Sequence, residues 1–452
     1  MVSFYTPPKK KVVSLKAFEI QGKSLDLLGR GVCSQDGCTY FCDGLLPGES
    51  ARVVTESLKG KVGTLKITKI LKASILRQNP DCDLLQKCGG CPLQHIDKSL
   101  ALEGKIEGLR RLFKKSLGVS LDAPDLVIES EGTNYRRACR LSARADRGVF
   151  RLGFRAEKSH ALVPVEKCNV LTTRINEVLP NLRACIDNLS CKHSVGHVEL
   201  LDSDGALGIL LRMTKFLSKD DELVLKNFAD KYSAVMSVSE PFKPKISFDK
   251  DAIVLKERVI AGNEEDLFVT SQGIKFLCQT SSFVQVNSGV NDKLGAFVVD
   301  TLNPQKGKRI LDLFCGLGNF TLPIAAKGAD VCGVDIVRDM IAKANNNAKK
   351  ANLENARFAA CNLEEPFETQ TFAQGNFDCA VLDPGRQGAP RATKFLASKK
   401  VKTIVMISCN PQACARDSIE LINKGYKIKK WGVMDMFPRT RHIETVLVFF
   451  LS

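Results

Sequence analysis

From residue 309 almost to the end, the sequence alternates short β-branched runs with helix-like runs, and few folds accept that rhythm. The strand-like runs are Arg309–Cys315, Val331–Ile336, Arg357–Cys361, Phe377–Asp383, Thr403–Cys409 and Glu444–Leu451. Helix-like runs lie between them, notably Arg338–Ala351 and Cys414–Lys424. Such βα alternation implies a mostly parallel, Rossmann-like α/β sheet that binds ligands at the carboxyl ends of its strands. The chain has 452 residues, too many for this one sheet, so further domains are expected.

The preceding sequence divides at two composition changes. Residues 1–75 hold 12 Lys/Arg against 6 Asp/Glu and consist of short strand-like runs broken by Gly-rich turns. They are expected to form a small β-barrel of the oligonucleotide-binding type. Residues 76–270 are expected to be a central α+β domain, and residues 271–452 the α/β domain. In the central part, Asp97 caps a helix to about Leu117 with Leu102, Ile106, Leu109 and Phe113 on one face and Lys105 among the basic residues of the others. Arg136 to Lys158 carries eight basic residues against Asp146 and Glu157 and reads as a hairpin turning near Asp146-Arg147-Gly148. Arg140, Ser142 and Arg144 share one strand face, and Arg151, Gly153 and Arg155 share another. An arginine surface of this kind suits a phosphate backbone, and the formal charge of +16 points the same way, to a nucleic-acid partner. No apolar run is long enough for a membrane helix, and the first residues lack the apolar core of a signal peptide. A cytoplasmic protein that binds no membrane is therefore expected, with monomer as the default.

Three motifs of the α/β part carry chemistry. The first strand runs into Asp312-Leu-Phe-Cys-Gly-Leu-Gly-Asn-Phe320, whose glycines let backbone approach a ligand closely. Thr321 stands where a dinucleotide fingerprint needs its third glycine, and Asp335 ends the second strand. This pattern fits S-adenosylmethionine, although Asp335 alone also suits a nicotinamide ribose. Asp383-Pro-Gly-Arg386 holds a carboxylate at the end of the fourth strand. Ile407-Ser-Cys409-Asn-Pro411 places a thiol at the tip of the fifth, with a helix start expected at Cys414-Ala-Arg-Asp417. A helix dipole there would lower the thiol pKa. Glu444 then opens the last strand. A cysteine alone is most often a buried strand residue. With a carboxylate, it fits methylation of pyrimidine C5: thiolate adds to C6, C5 takes the methyl group, and a base removes the C5 proton.

The 17 cysteines are an odd number in a chain without an export signal, so metal or nucleophile roles fit better than disulfides. Cys82, Cys88 and Cys91 are spaced C-x5-C-x2-C before a proline, with Cys168 a candidate fourth ligand. The spacing suits a [4Fe–4S] cluster or zinc equally. Cys33, Cys38 and Cys42, and the group Cys185, Cys191 and His193, lack tight ligand spacing and read as ordinary residues.

Together with Phe283-Val-Gln285-Val-Asn287 and Asp435-Met-Phe-Pro-Arg-Thr-Arg-His-Ile-Glu444, these motifs resemble the RNA uracil-C5 methyltransferases along nearly the whole chain. The barrel then corresponds to a TRAM domain, and the domain set resembles the branch acting on 23S ribosomal RNA. The resemblance implies that Cys409 is the nucleophile and Glu444 the base. It implies S-adenosylmethionine contacts from Gln285, Phe314, Asn319, Asp335, Asn362 and Asp383. It also implies a [4Fe–4S] cluster on Cys82, Cys88, Cys91 and Cys168, and a flipped-out target base. Two positions depart from the family pattern: Gly385 follows the Asp383-Pro pair, and Asp335 stands where Glu is frequent. Alternatives are methylation of another ribosomal or transfer RNA uridine, a non-catalytic RNA-binding factor, and a nicotinamide oxidoreductase, which the missing glycine disfavours.

Overall fold

The computed structural model describes residues 16–85, 87–146, 148–157, 159–242 and 254–451. Arg147 and Lys158 of the basic hairpin, and residues 1–15 on which the signal-peptide reading rests, lie outside them. The chain forms two compact units. One comprises Met1–Asp83, Gly90–Leu121 and Pro438–His442; the other comprises Leu84–Gly89, Asp122–Phe437 and Ile443–Ser452.

The first unit contains a six-stranded sheet built from runs between Phe18 and Lys72. Its core is Ile20, Cys33, Cys42, Leu45, Ala51, Val53 and Leu65, so two of the bystander cysteines fill apolar space. The helix Lys98–Leu117 is capped as expected: Asp97 accepts from the N–H groups of Ser99 and Leu100, and Gly118 closes the end in the left-handed region. Its buried face differs by one position. A Cβ on Gly104 or Gly108 would lie 2.7 and 2.8 Å from Leu25 and Leu27, so the chain at 24–27 presses close. That contact rotates the buried face to include Lys105, only 2% exposed, where a solvent position was expected.

In the second unit the α/β sheet contains β1 (Leu126–Ile128), β2 (Arg309–Leu313), β3 (Asp330–Asp335), β4 (Ala356–Ala360), β5 (Cys379–Leu382), β6 (Thr403–Ser408), β7 (Tyr426–Met434) and β8 (Glu444–Leu451). Their spatial order is β4-β3-β2-β5-β6-β8-β7-β1. Helices α1 (Ser288–Leu302), α2 (Thr321–Ala326), α3 (Arg338–Lys350), α4 (Pro390–Ser398) and α5 (Pro411–Asn423) accompany them. Strands β5 and β6 are buried at every residue, which is why they read as unbroken apolar runs. Strand β7 and the added strand β1 were not legible, because β7 (YKIKKWGVM) carries three lysines and β1 has only three residues. Strand β8 alone is antiparallel to its neighbours, with Ser408 opposite Thr445 and Met434 opposite Glu444. Its first residue therefore lies at the edge where the parallel strands end.

A seven-stranded sheet contains, side by side in this order, the strands Val149–Arg155, Ala138–Asp146, Val195–Asp202 and Leu207–Met213. One face packs Leu141, Leu152, Val198 and Leu211 with residues of the helices Thr173–Asp187 and Lys219–Tyr232. The expected hairpin forms, and Arg144 stands directly opposite Arg151.

The first unit depends on one buried ion pair. Glu49 has no exposed surface; its carboxylate accepts from Arg77 at 2.6 Å through both oxygens, from Leu46 N–H at 2.9 Å and from Ser74 N–H at 3.1 Å. Burial alone would raise its pKa, but these donors outweigh burial and hold it below the usual carboxylate range. Arg77→Met should cost about 3–5 kcal/mol, since it leaves a buried charge unpaired. Hydrogen exchange of residues 18–72 in urea would measure the loss. Because the folded-state pKa is depressed, the pair's contribution is present at neutral pH and should fade as pH falls below about 4.

Candidate active site

The turn after β2 is bent by three left-handed residues: Phe314, Gly316 and Gly318, with φ of 68°, 55° and 91°. A Phe in that region is strained, and it is held there because the N–H groups of Phe314 and Cys315 both donate to Val334 O, at 2.8 and 3.0 Å. A Cβ on Gly318 would come within 3.2 Å of Leu322 and Phe358, so glycine is needed for packing as well as for φ. Asp335 ends β3 and is tied into the same turn. Its carboxylate accepts from Gly316 N–H at 3.0 Å and from Val337 N–H at 2.9 Å. Ile336 and Val337 beside it are 60% and 48% exposed, an apolar ledge next to a charged one.

Three more carboxyl groups meet at the strand ends, and burial raises the pKa of each. Asp312 is fully buried; one oxygen accepts from the Thr321 hydroxyl at 2.5 Å while the other, Oδ1, has no hydrogen-bond partner. Burial, with smaller contributions from Asp383 and Asp335, pushes its pKa up to about 7 against the opposing Thr321 bond. Burial takes Asp383, at the end of β5, up to about 6. Gln285 Nε2 lies 3.4 Å from Asp383 Oδ2. Glu444 reaches about 8 through burial first and the charge of Asp383 second.

Cys409 follows β6, next to the Ser408–Thr445 pair, and so adjoins Glu444 on the neighbouring strand. Its thiol pKa is raised, contrary to the expectation of a dipole-lowered one. Burial is the larger cause, Glu444 and Asp383 add to it, and Arg386 opposes it. The helix itself explains the difference. α5 starts at Pro411, three residues before the expected Cys414, and Asn410 caps it by accepting from Gln412 and Ala413 N–H at 3.1 and 3.4 Å. The first free N–H groups are thus spent on Asn410 and leave the sulfur to the carboxylates. Cys414 lies buried inside the helix.

The remaining expected ligands are placed less directly. Asn319 exchanges two amide hydrogen bonds with Asn291, at 2.9 and 3.0 Å. Asn362 turns its Oδ1 back to Glu364 N–H at 3.1 Å. Three residues outside the expected ligand set belong to the site's frame. Asp312 was visible as the acid before the glycines. Asn291, one turn after Asn287 on α1, is 7% exposed; two asparagines spaced i, i+4 on a buried helix face were its signal. Asn410 donates to Arg386 O at 2.7 Å and so joins the turn after β5 to the start of α5. A separate cavity of about 470 Å³ is lined by Glu129, Tyr135, Arg137, Asp204, Asn287 and Lys293 among others, and none of the expected catalytic or ligand residues lines it.

Cys82, Cys88, Cys91 and Cys168 are all part-exposed, and no disulfide joins any of the 17 cysteines. Cys88 pairs by backbone with Ala156, while Asn176 bonds both the N–H and the C=O of Cys168, at 2.8 and 3.0 Å. Among the described residues no three His, Cys, Asp or Glu side chains are gathered as a metal site.

The raised thiol has a measurable consequence. Iodoacetamide labelling of Cys409, followed by peptide mass spectrometry, should keep rising with pH through 9. A plateau below pH 8 would contradict the burial and carboxylate effects described above.

Comparison with known proteins places this geometry. The family model described as tRNA (Uracil-5-)-methyltransferase matches residues 97–451. A Shewanella frigidimarina protein named 23S rRNA (uracil(1939)-C(5))-methyltransferase RlmD is 36% identical, over 99% of this chain and 98% of that protein. A Vibrio parahaemolyticus protein of the same name is also 36% identical, over 99% of both. The crystal structure of Pyrococcus abyssi tRNA (uracil-54, C5)-methyltransferase in complex with S-adenosyl-L-homocysteine superposes with a TM-score of 0.70 at 22% identity, covering 96% of this chain and 100% of that one. The fold is thus that of a Rossmann-like methyltransferase, and the chain belongs to the tRNA (uracil-5-)-methyltransferase family.

Proposed function

We propose that this protein methylates C5 of a uridine in 23S ribosomal RNA, with S-adenosylmethionine as methyl donor and a covalent Cys409–C6 adduct as intermediate. The observation that carries the reading is the convergence of Cys409, Glu444, Asp383 and Asp312 at one sheet edge, with three carboxyl pKa values raised. Buried carboxyls in that state await a cation, and a sulfonium with an α-ammonium supplies one. The orphaned Oδ1 of Asp312 and the glycine-bent turn fit such a ligand. Asp335 would accept the ribose hydroxyls, Ile336 would bed the adenine, and Gln285, Phe314, Asn319, Asn362 and Asp383 would complete the pocket.

Bound S-adenosylmethionine supplies an electrophilic methyl group. Cys409, having given its proton to solvent, attacks C6 of the uracil as thiolate, and the C5=C6 π pair moves toward O4, which turns C5 into an enolate carbon able to take that methyl group. Glu444 then removes the C5 proton, the C6–S bond breaks, and Cys409 leaves as thiolate. The proton affinity of Glu444 is set by burial and by Asp383, so it is lowest while a cation fills the pocket and highest once the pocket is neutral. That order suits a base needed last.

Cys82, Cys88, Cys91 and Cys168 would hold a [4Fe–4S] cluster. Four part-exposed thiols outside disulfides suit it. Its role would be structural. The reading retains a TRAM-like barrel in residues 1–75, a central domain in 76–270 and the methylase in 271–452, working as a cytoplasmic monomer. No helix among the described residues is long and apolar enough to cross a membrane.

Two measurements test this. RNA carrying 5-fluorouridine at the target should trap a covalent complex with the wild type and none with Cys409→Ala, because fluorine cannot leave as a proton. No trapping by the wild type, or trapping by the variant, would refute the mechanism. Affinity for S-adenosylmethionine should weaken as pH falls from 8 to 5, because Asp312 and Asp383 must be ionised to bind a cation and take up protons near pH 7 and 6. Asp312→Asn should lose roughly 10- to 100-fold at pH 8, the worth of a hydrogen bond to a charged group. A flat calorimetric pH profile would count against the carboxylate receptor.

A further inference from the structure

The arginines of the hairpin belong to a larger surface than the hairpin. Ser142 stands opposite Gly153 on one side and His197 on the other, and His197 is opposite Arg212. Because side chains alternate along strands, Arg140, Arg144, Arg151, Arg155, His197 and Arg212 all project from one face, opposite to the apolar core. Arg144 is 69% exposed and Arg140 54%. Burial discourages protonation of His197, and Arg140 and Arg155 add to that, a sign of how much positive potential gathers there. The face also carries acids: Asp146 lies 4.0 Å from Arg144, and the charge of Glu257 acts on Arg212. Glu199, 13% exposed, receives Arg212 at 2.6 Å and lies 3.5 Å from Arg140.

This face has a direction. Beyond Arg212 it is covered: a Cβ on Gly208 would meet Thr280 and Leu267, and Glu257 hydrogen-bonds Ser281. The covering segment continues to Phe283, 73% exposed, and to Gln285, which contacts Asp383. The open arginine face therefore ends where the chain leading into the candidate active site begins.

We propose that this face is a track for single-stranded RNA, guiding the strand that flanks the target uridine to Phe283, and that Glu199 is an internal competitor a phosphate must displace from Arg212 and Arg140. Guanidinium groups spaced along paired strands hold successive phosphates, and an exposed aromatic at the end offers a stacking surface for a base. Competition by Glu199 costs every RNA that uses these arginines the same free energy. The proposal rests on the reading of this chain as an RNA methyltransferase and deepens it.

The test measures binding of a single-stranded ribosomal RNA fragment by fluorescence anisotropy across a salt series, with S-adenosylmethionine affinity as the check on folding. Arg144→Gln/Arg151→Gln should weaken binding and make the log–log salt slope shallower by about 1.4, at about 0.7 for each phosphate that the variant no longer neutralises. Glu199→Gln should tighten binding of cognate and unrelated RNA by the same factor. Unchanged affinity and slope in the double variant, or no tightening in Glu199→Gln, would overturn the track. Methyl transfer by the wild type to the same RNA separates the two readings. Transfer with no effect of the arginine changes sinks the track alone. Binding that responds to those changes, without transfer, sinks the methylase reading and leaves the surface.

Discussion

One reversed strand governs this molecule's chemistry. In a fully parallel sheet the residue before a strand lies at the edge opposite to ligands. Strand β8 runs against β6 and β7, so its first residue, Glu444, emerges beside Cys409 at the ligand edge. Cys409 and Glu444 come from segments that share no loop, and backbone pairing brings their strand ends together. The register also explains the burial of Glu444, since the strand it opens is enclosed by β6 and β7.

Burial then supplies the electrostatics. Four acidic groups and a thiol share a small region, and water does not reach several of them. Charge at Asp312, Asp383, Glu444 and Cys409 is mutually unfavourable, and each group is driven toward its neutral form. A site of this kind favours a cationic ligand over an anionic one, because a cation relieves the repulsion. The raised thiol is part of the same balance. Burial and the two carboxylates hold Cys409 toward its neutral thiol.

Much of this was legible in the residues. The strands that bury both faces, β5 and β6, announced themselves as unbroken Val, Ile and Leu runs, and Asp97 marked the start of its helix. The hairpin followed from its turn residues, and the facing of its arginines from alternation. The site residues could be named because Asp383, Cys409 and Glu444 each sit at a strand end, a position that pattern reveals. Other features were out of reach. Strand β7 carries lysines on an outer position, and β1 has only three residues. The turn of Lys105 into the interior depends on two glycines meeting residues 25 and 27, a contact between distant segments. The sign of the Cys409 pKa shift depended on burial first, and then on two carboxylates, Glu444 and Asp383, nearby in space but distant in sequence. The i, i+4 asparagines marked Asn291, but its pairing with Asn319 joins two elements and was out of reach.

In the proposed mechanism Cys409 and Glu444 act on the same carbon framework in sequence, thiol first and acid last. Glu444→Gln with ordinary uridine RNA and S-adenosylmethionine isolates that order, because blocking proton removal should strand the adduct after methyl transfer. Mass spectrometry of the nuclease-treated, protease-digested complex should find a nucleotide on the Cys409 peptide that already carries the added methyl group. No adduct, or an adduct at Cys409 lacking the methyl group, would contradict it.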